Sequence, residues 1–362
     1  MAHRVKAGNG RGEAKCLQNA GSSRKCSTDK LSELHSSNLA PLSRRNFLRR
    51  GALVAGAAAA LGPDFLAPAT ALPAQPIVDA HIHFYDPGRP GGIHWPARDD
   101  AVLYAPHLPK QFQALTESLG VVGGVVIEAN AWPDDNQWVL ELAKTNPIIL
   151  GYIGRLTPGQ PDFSPNFDRY VENPVFRGLR LRPDMLAEGL GRKEFEKDLQ
   201  QVVERKLTLD LVGGAPVVPF IPRLAKIAPG LRLVIDHLPF EEWDADPAAM
   251  REALRPAAAL PNVYAKISNV PRRLDGHLLT DPGRYRPRLD VLWELFGGDR
   301  VIYGSNWPVS DFAAPYASVH QIAADYINGK DPVAIGKFFW KNSLAAYQWL
   351  PRGAAARLAV KP

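Results

Sequence analysis

From Leu72 onward, short apolar runs alternate with longer stretches in which apolar positions recur every three or four residues, the whole unit repeating at about thirty residues. The short runs predict eight strands: Ile77–Ile82, Gly123–Ile127, Ile148–Ile153, Phe176–Leu181, Leu207–Val212, Leu231–Ile235, Val263–Ile267 and Val301–Tyr303. The helical periodicity predicts helices at Gln137–Lys144, Lys193–Arg205, Pro219–Ala228, Asp246–Ala258, Arg286–Leu295, Tyr316–Asn328 and Pro332–Tyr347. Strands that are apolar without alternation are buried on both faces, and strands separated by helices run parallel. Eight such units fit a distorted (β/α)8 barrel better than an open, doubly wound sheet. An open sheet would want a glycine-rich phosphate turn after its first strand. The chain instead reads His83-Phe84-Tyr85-Asp86-Pro87-Gly88 there. The Pro-rich links Asp86–Pro96, Thr157–Pro165 and Asn269–Pro287 read as long loops after strands, at the end of a barrel where sites are built.

The first 71 residues have a different pattern. Ser43-Arg44-Arg45-Asn46-Phe47-Leu48-Arg49 has the twin-arginine form and is followed by the Ala-rich Gly51–Gly62 and the small residues Ala67–Ala71. This predicts a cleaved leader, export by the twin-arginine machinery and a periplasmic barrel domain over residues 72–362. The apolar segment is shorter than the roughly twenty residues a stable span needs, so no membrane helix is expected in the mature chain.

That leader changes the charge reading. The full chain carries a formal +6, but residues 1–71 hold 11 Lys/Arg against 4 Asp/Glu, leaving 32 basic and 33 acidic residues beyond them. A near-neutral domain without a basic stripe argues against a nucleic-acid partner and for a small-molecule substrate. Both cysteines, Cys16 and Cys26, fall in the leader, which excludes disulfides, thiolate nucleophiles and Cys-bound metal from the domain.

Candidate chemistry collects at the predicted strand ends. Residues two apart on a strand face the same way, so His81 and His83 aim at one point, with Asp79 preceding them at the same parity. Strand two ends in Glu128-Ala129-Asn130, strand four carries Arg180 and Arg182, strand six ends in Asp236-His237, strand seven holds Lys266 and Ser268, and strand eight leads into Ser305-Asn306-Trp307. Only a closed barrel brings these together. Lys266 alone reads as a stem on an apolar wall with a solvated head.

Asp79-Ala80-His81-Ile82-His83, Phe176-Arg177-Gly178-Leu179-Arg180, Ile235-Asp236-His237-Leu238 and Ile302-Tyr303-Gly304-Ser305-Asn306-Trp307-Pro308-Val309 resemble, in that order, the amidohydrolase-related branch of the amidohydrolase superfamily. The resemblance is greatest to the group of sugar-acid lactonases and the pyrone dicarboxylate lactonase, and extends from Ile77 to Tyr347. It implies a distorted (β/α)8 barrel that hydrolyses a lactone or other cyclic ester of a small carboxylated compound. A metal-dependent decarboxylase is the alternative activity.

By position, the resemblance makes His81, His83 and His237 catalytic candidates, and Arg180 the contact for a substrate carboxylate, beside Arg182 and Trp307. The family's eighth-strand motif has an aspartate that activates water, and this chain has Asn306 there. An amide cannot take a proton at working pH, so either Glu128 or a metal-bound hydroxide is the base, or the barrel is an inactive periplasmic binding protein. Strand five, Leu209-Asp210-Leu211-Val212, lacks the histidine that two-metal members place there, and no lysine ends strand four, so the resemblance leaves one divalent metal, zinc by ligand type, on His81, His83 and His237 with Glu128 or Asn306 as an oxygen ligand, or none.

Overall fold

The computed structural model describes residues 75–237, 246–279 and 281–359. The predicted leader and its twin-arginine motif lie outside them. Ten strands occur among the described residues, in chain order β1 (Ile77–Ile82), β2 (Val121–Ile127), β3 (Ile149–Gly154), β4 (Phe176–Leu181), β5 (Thr208–Leu211), β6 (Arg232–Ile235), β7 (Val263–Ile267), β8 (Arg273–Leu274), β9 (His277–Leu278) and β10 (Val301–Tyr303). Eight of them form one sheet in the order β1-β2-β3-β4-β5-β6-β7-β10, each neighbouring pair parallel, with β8 and β9 a separate small hairpin. With helices between successive strands, this is the (β/α)8 barrel that the apolar periodicity predicts.

The barrel closes unevenly. β10 is only three residues long, and the bond across the last seam comes after it: Ile82 bridges Trp307, His83 N donates to Trp307 O (2.8 Å) and Asn306 N donates to His81 O (2.9 Å). β1 slips register against β2 between Asp79 and Ile82. The seam is therefore held at the carboxyl end of β1, where His81 and His83 stand. Asp79 braces it from beneath. Its Oδ1 accepts from His81 N (3.1 Å) and Ser305 N (2.9 Å), and its Oδ2 from the Tyr316 hydroxyl (2.9 Å). Burial pushes the Asp79 carboxyl up to about 6 against these bonds. Gly304 permits the close approach, since a Cβ there would lie 2.7 Å from the His81 Cβ.

The opposite end is covered by the chain's last segment. Thr208 Oγ1 and Arg232 Nε both donate to Ala346 O at 2.7 Å, and Leu350 N donates to Leu150 O at 2.8 Å. The stretch read as one helix, Pro332–Tyr347, is interrupted by a π-helical turn at Lys337–Lys341 that separates the helices Pro332–Gly336 and Asn342–Tyr347.

Two proline-rich links contain more structure than composition suggests. A helix runs Phe163–Val171 with Pro165 in its first turn, where proline's missing N–H removes no helical bond. Another begins at Pro282, not Arg286, capped by Asp281, which accepts from Gly283 N, and keeps Pro287 within it. Helices Pro109–Thr116 and Pro183–Gly189 also lie in stretches that periodicity leaves blank.

Candidate active site

The mouth of the barrel holds a cavity of about 540 Å³ lined by His83, Glu128, Arg155, Arg180, Arg182, His237 and Asn306, with His94 and Trp95 from the loop after β1. Residues from strands β1, β2, β3, β4 and β6 and from the segment after β10 thus converge on one space. The backbone there is strained. His237 (φ 62°), Asn269 (φ 52°) and Asn306 (φ 66°), all on the cavity wall, occupy the left-handed region that side chains other than glycine and asparagine rarely adopt.

The three histidines form one cluster. The His81 ring centre lies 5.0 Å from that of His83 and 4.4 Å from that of His237. All are neutral at working pH. Burial and the charge of Arg180 hold His83 near 4, burial brings His237 to about 3 against the pull of Asp236, and burial and Lys266 hold His81 well below the ordinary range.

Neutrality fixes the tautomers. His83 Nδ1 donates to Ile127 O (3.1 Å), so its Nε2, 3.3 Å from the Asn306 carboxamide, carries the lone pair. Asn306 must then present its amide nitrogen to that lone pair, a half-turn of the carboxamide. His237 Nδ1 pairs with Ser268 Oγ (2.8 Å), leaving Nε2 for a ligand.

Beneath this floor lies a fully buried ionic network. Lys266 Nζ donates to Asp210 Oδ2 (2.6 Å) and Asp236 Oδ1 (2.8 Å), and its third proton meets His81 Nδ1 (3.2 Å). His81 Nδ1 also lies 3.4 Å from Asp236 Oδ1. The ammonium contact decides the tautomer, because a protonated Nδ1 would face the third lysine proton. His81 therefore carries its hydrogen on Nε2, a buried atom without a partner among the described residues. Arg180 Nε donates to Asp236 Oδ2 (2.8 Å), and the Tyr347 hydroxyl, from the opposite end of the barrel, donates to Asp210 Oδ2 (3.0 Å). Burial raises the Asp210 carboxyl. It also acts on Asp236, but the charges of Lys266 and Arg180 outweigh it and hold that carboxyl well below the usual range.

Glu128 is placed differently. Its side chain is buried on the cavity wall, and its nearest cations among the described residues, Arg180 (3.6 Å) and Arg155 (3.7 Å), stand beyond hydrogen-bond distance. Burial raises its pKa against those two charges. A carboxylate with free lone pairs and a raised pKa, facing a cavity, has the properties of a general base.

Of the residues singled out by sequence, His83, Glu128, Arg180, Arg182, His237 and Asn306 line the cavity, and His81 lies under its floor. Trp307 does not line it. Its indole is buried among Phe84, His107 and Phe112, where it supports the seam. The solvated head expected of Lys266 is absent, because two strand carboxylates capture the ammonium inside the barrel. Arg180 already serves Asp236, so it is an internal counter-ion as much as a substrate contact. Arg155, His94 and Trp95 were not anticipated. Arg155 had a signal, a charged residue directly after the apolar Ile149–Gly154, whereas His94 and Trp95 sit in a loop without periodicity.

The donor set does not fit a metal ion. No three or more His, Cys, Asp or Glu side chains among the described residues stand where they could hold one. Two of the ring nitrogens are also committed, His83 Nε2 to Asn306 and His81 Nδ1 to an ammonium, which leaves His237 Nε2 facing the cavity.

A family model described as "Amidohydrolase" matches residues 78–349. The L-fucono-1,5-lactonase of Burkholderia ambifaria is 28% identical over 248 residues, 66% of this chain and 82% of that protein. The L-fucono-1,5-lactonase of Burkholderia multivorans is 26% identical over 299 residues, 78% of this chain and 98% of its own length. A solved amidohydrolase from Burkholderia multivorans with bound zinc superposes with a TM-score of 0.67 at 22% identity, over 76% of this chain and 99% of the other.

Proposed function

The chain belongs to the amidohydrolase family of hydrolases, and from that premise we propose that it hydrolyses a 1,5-lactone of a sugar acid or similar small carboxylated compound. The observation that carries the reading is Glu128, a buried carboxylate on the cavity wall whose two arginine neighbours stand beyond hydrogen-bond distance and whose pKa burial raises. The names of the two Burkholderia relatives support the choice of substrate class.

Water held against Glu128 gives it a proton as its oxygen attacks the lactone carbonyl carbon. The carbonyl oxygen takes the negative charge, facing Arg180 and the Nε2–H of His237, whose Nδ1 then accepts from the Ser268 hydroxyl. The tetrahedral species then collapses, the ring C–O bond breaks, and the departing alkoxide receives the proton that Glu128 holds. Water is consumed and one hydroxy acid is formed. Arg155 and Arg182 sit on the wall that the product carboxylate would meet. Asn306 takes no proton in this scheme; it orients His83.

In this reading the hydrolase works without a metal. Wild type and Asn306→Asp, assayed on a panel of sugar 1,5-lactones beginning with L-fucono-1,5-lactone, with and without dipicolinate, test it. Wild type is expected to turn over at least one lactone at a rate the chelator leaves unchanged, and Asn306→Asp is expected to be no faster. An inert wild type beside an active Asn306→Asp would indicate a binding protein that has lost its base. Chelator-sensitive turnover would restore the metal, and carbon dioxide release from an aryl carboxylate would favour the decarboxylase.

Export to the periplasm is part of the same proposal, on the strength of Arg44-Arg45 and the Ala-rich segment after them. Replacing both arginines by lysine is expected to retain the protein in the cytoplasm on cell fractionation. Unchanged export would remove the twin-arginine route.

A further inference from the structure

A second cavity, of about 650 Å³, opens beside the first and is walled by Trp132, Trp138, Arg89, Asp134 and Asp135. The two share a partition. His94, which lines the central cavity, rests on Trp132 with ring centres 3.7 Å apart, and the neighbouring Ala131 and Trp132 line the central and the outer cavity respectively. The outer space combines aromatic surface with charged side chains. Arg89 pairs with Asp135, their side chains 9% and 1% exposed, while the guanidinium lies 4.7 Å from the Trp138 ring centre. Arg89 Nη1 and Asp135 Oδ2 are buried and, among the described residues, lack a partner in strict hydrogen-bond geometry, although Asn130 also steadies the Asp135 carboxylate.

We propose that this cavity is a subsite for a glycosyl group carried by the lactone, so that the preferred substrate is the lactone of an oligosaccharide acid. A pyranose presents an apolar C–H face suited to an indole and a rim of vicinal hydroxyls. The hydroxyl rim can donate to the Asp134 carboxylate at the exposed edge, which also accepts from Arg169 (3.2 Å), while the sugar ring packs beside the Arg89 side chain that lines the space. The inference rests on the lactonase reading of the central cavity, because the substrate would reach the outer cavity across the His94–Trp132 contact that separates the two.

The test compares kcat/KM for lactobiono-, maltobiono- and cellobiono-1,5-lactone with that for D-glucono-1,5-lactone, the same ring without the second sugar. Wild type is expected to favour at least one disaccharide lactone by about tenfold, remote contacts contributing to the reacting centre. Trp138→Ala and the surface variant Asp134→Ala are expected to lower that preference while leaving gluconolactone turnover unchanged. A wild-type ratio near one for all three, or a ratio that neither variant alters, would overturn the subsite. Calorimetric titration with the open-chain acids lactobionate, maltobionate and cellobionate reads the subsite without turnover. Binding weakened by Asp134→Ala supports it even if no lactone is hydrolysed, and no binding of any of the three overturns it.

Discussion

Glu128→Gln lowers kcat for lactone hydrolysis by about 10²- to 10⁴-fold, the usual contribution of a positioned general base, with little change in KM. Glutamine keeps the shape of the side chain and its place between Arg155 and Arg180 but cannot accept the proton of the attacking water. The fold should tolerate the change. The carboxylate makes no short hydrogen bond that the amide would forfeit, and replacing it removes a charge that burial disfavours. Steady-state kinetics with a thermal melt on the same preparation checks both halves. A variant that retains wild-type kcat would dismiss Glu128 as the base and leave an imidazole, His83 or His237, as the remaining candidate.

Lys266→Met should destabilise the barrel by about 3–5 kcal/mol, the cost of removing one partner from a buried ionic network. Methionine fills a similar volume, so the loss is mainly electrostatic. Asp210 and Asp236 would face each other inside the barrel without the ammonium that joins them. Asp236 keeps Arg180, and Asp210 keeps only the Tyr347 hydroxyl. Asp210 is then the carboxyl whose folded-state pKa rises further above its unfolded value. The deficit of the variant should therefore be full above that raised pKa and shrink as pH falls through it and Asp210 takes up a proton. Burial already holds the Asp210 carboxyl at about 8 in the wild type, so adding Asp210→Asn should recover part of the loss in alkaline solution, above that value, and little of it at neutral pH. Urea unfolding of the single and double variants measures this, read from the midpoint at unchanged slope. A single variant within about 1 kcal/mol of wild type would mean that the network carries no more than a surface ion pair does.

The barrel was legible because its strands are apolar without alternation and a helical pattern follows most of them. β1, β4, β7 and β10 fall where the sequence places them, and β5 is shorter, Thr208–Leu211 against a predicted Leu207–Val212. Proline misled the reading of helix starts. The helices at Phe163 and Pro282 accommodate Pro165 and Pro287, and a turn-forming residue does not announce which of its uses applies.

The candidate site was legible to the extent that strand ends carry polar residues. His83, Glu128, Arg180, Arg182, His237 and Asn306 all reach one cavity. The ionic floor was not legible, although Leu209-Asp210-Leu211 and Ala265-Lys266-Ile267 each set one charge in an apolar strand. Two such residues of opposite sign, neither able to reach water from a buried strand, imply a pair, but which strands meet across a barrel is a matter of closure that local pattern does not encode. Trp307 shows the converse. An aromatic residue beside a site motif reads as a substrate contact until packing turns it toward Phe84 and Phe112. The aromatic cavity around Trp132 and Trp138 likewise depends on how the loop after β1 folds back over the helix Pro133–Thr145.

The pH dependence of kcat/KM on a sugar 1,5-lactone, compared between wild type and Glu128→Gln in chelator-treated buffer, tests the central claim most directly. The buried histidines are already neutral above about 4, so they add no step near their ordinary value of 6.5. Glu128 must be ionised to act, and burial raises its pKa, so wild-type activity should rise with pH through a single limb above the ordinary glutamate range. In Glu128→Gln that limb should vanish and leave a low, flat residual rate. A Glu128→Gln profile with the wild-type limb and height, or a wild-type rate abolished by the chelator, would contradict a metal-free hydrolase that uses Glu128 as its base.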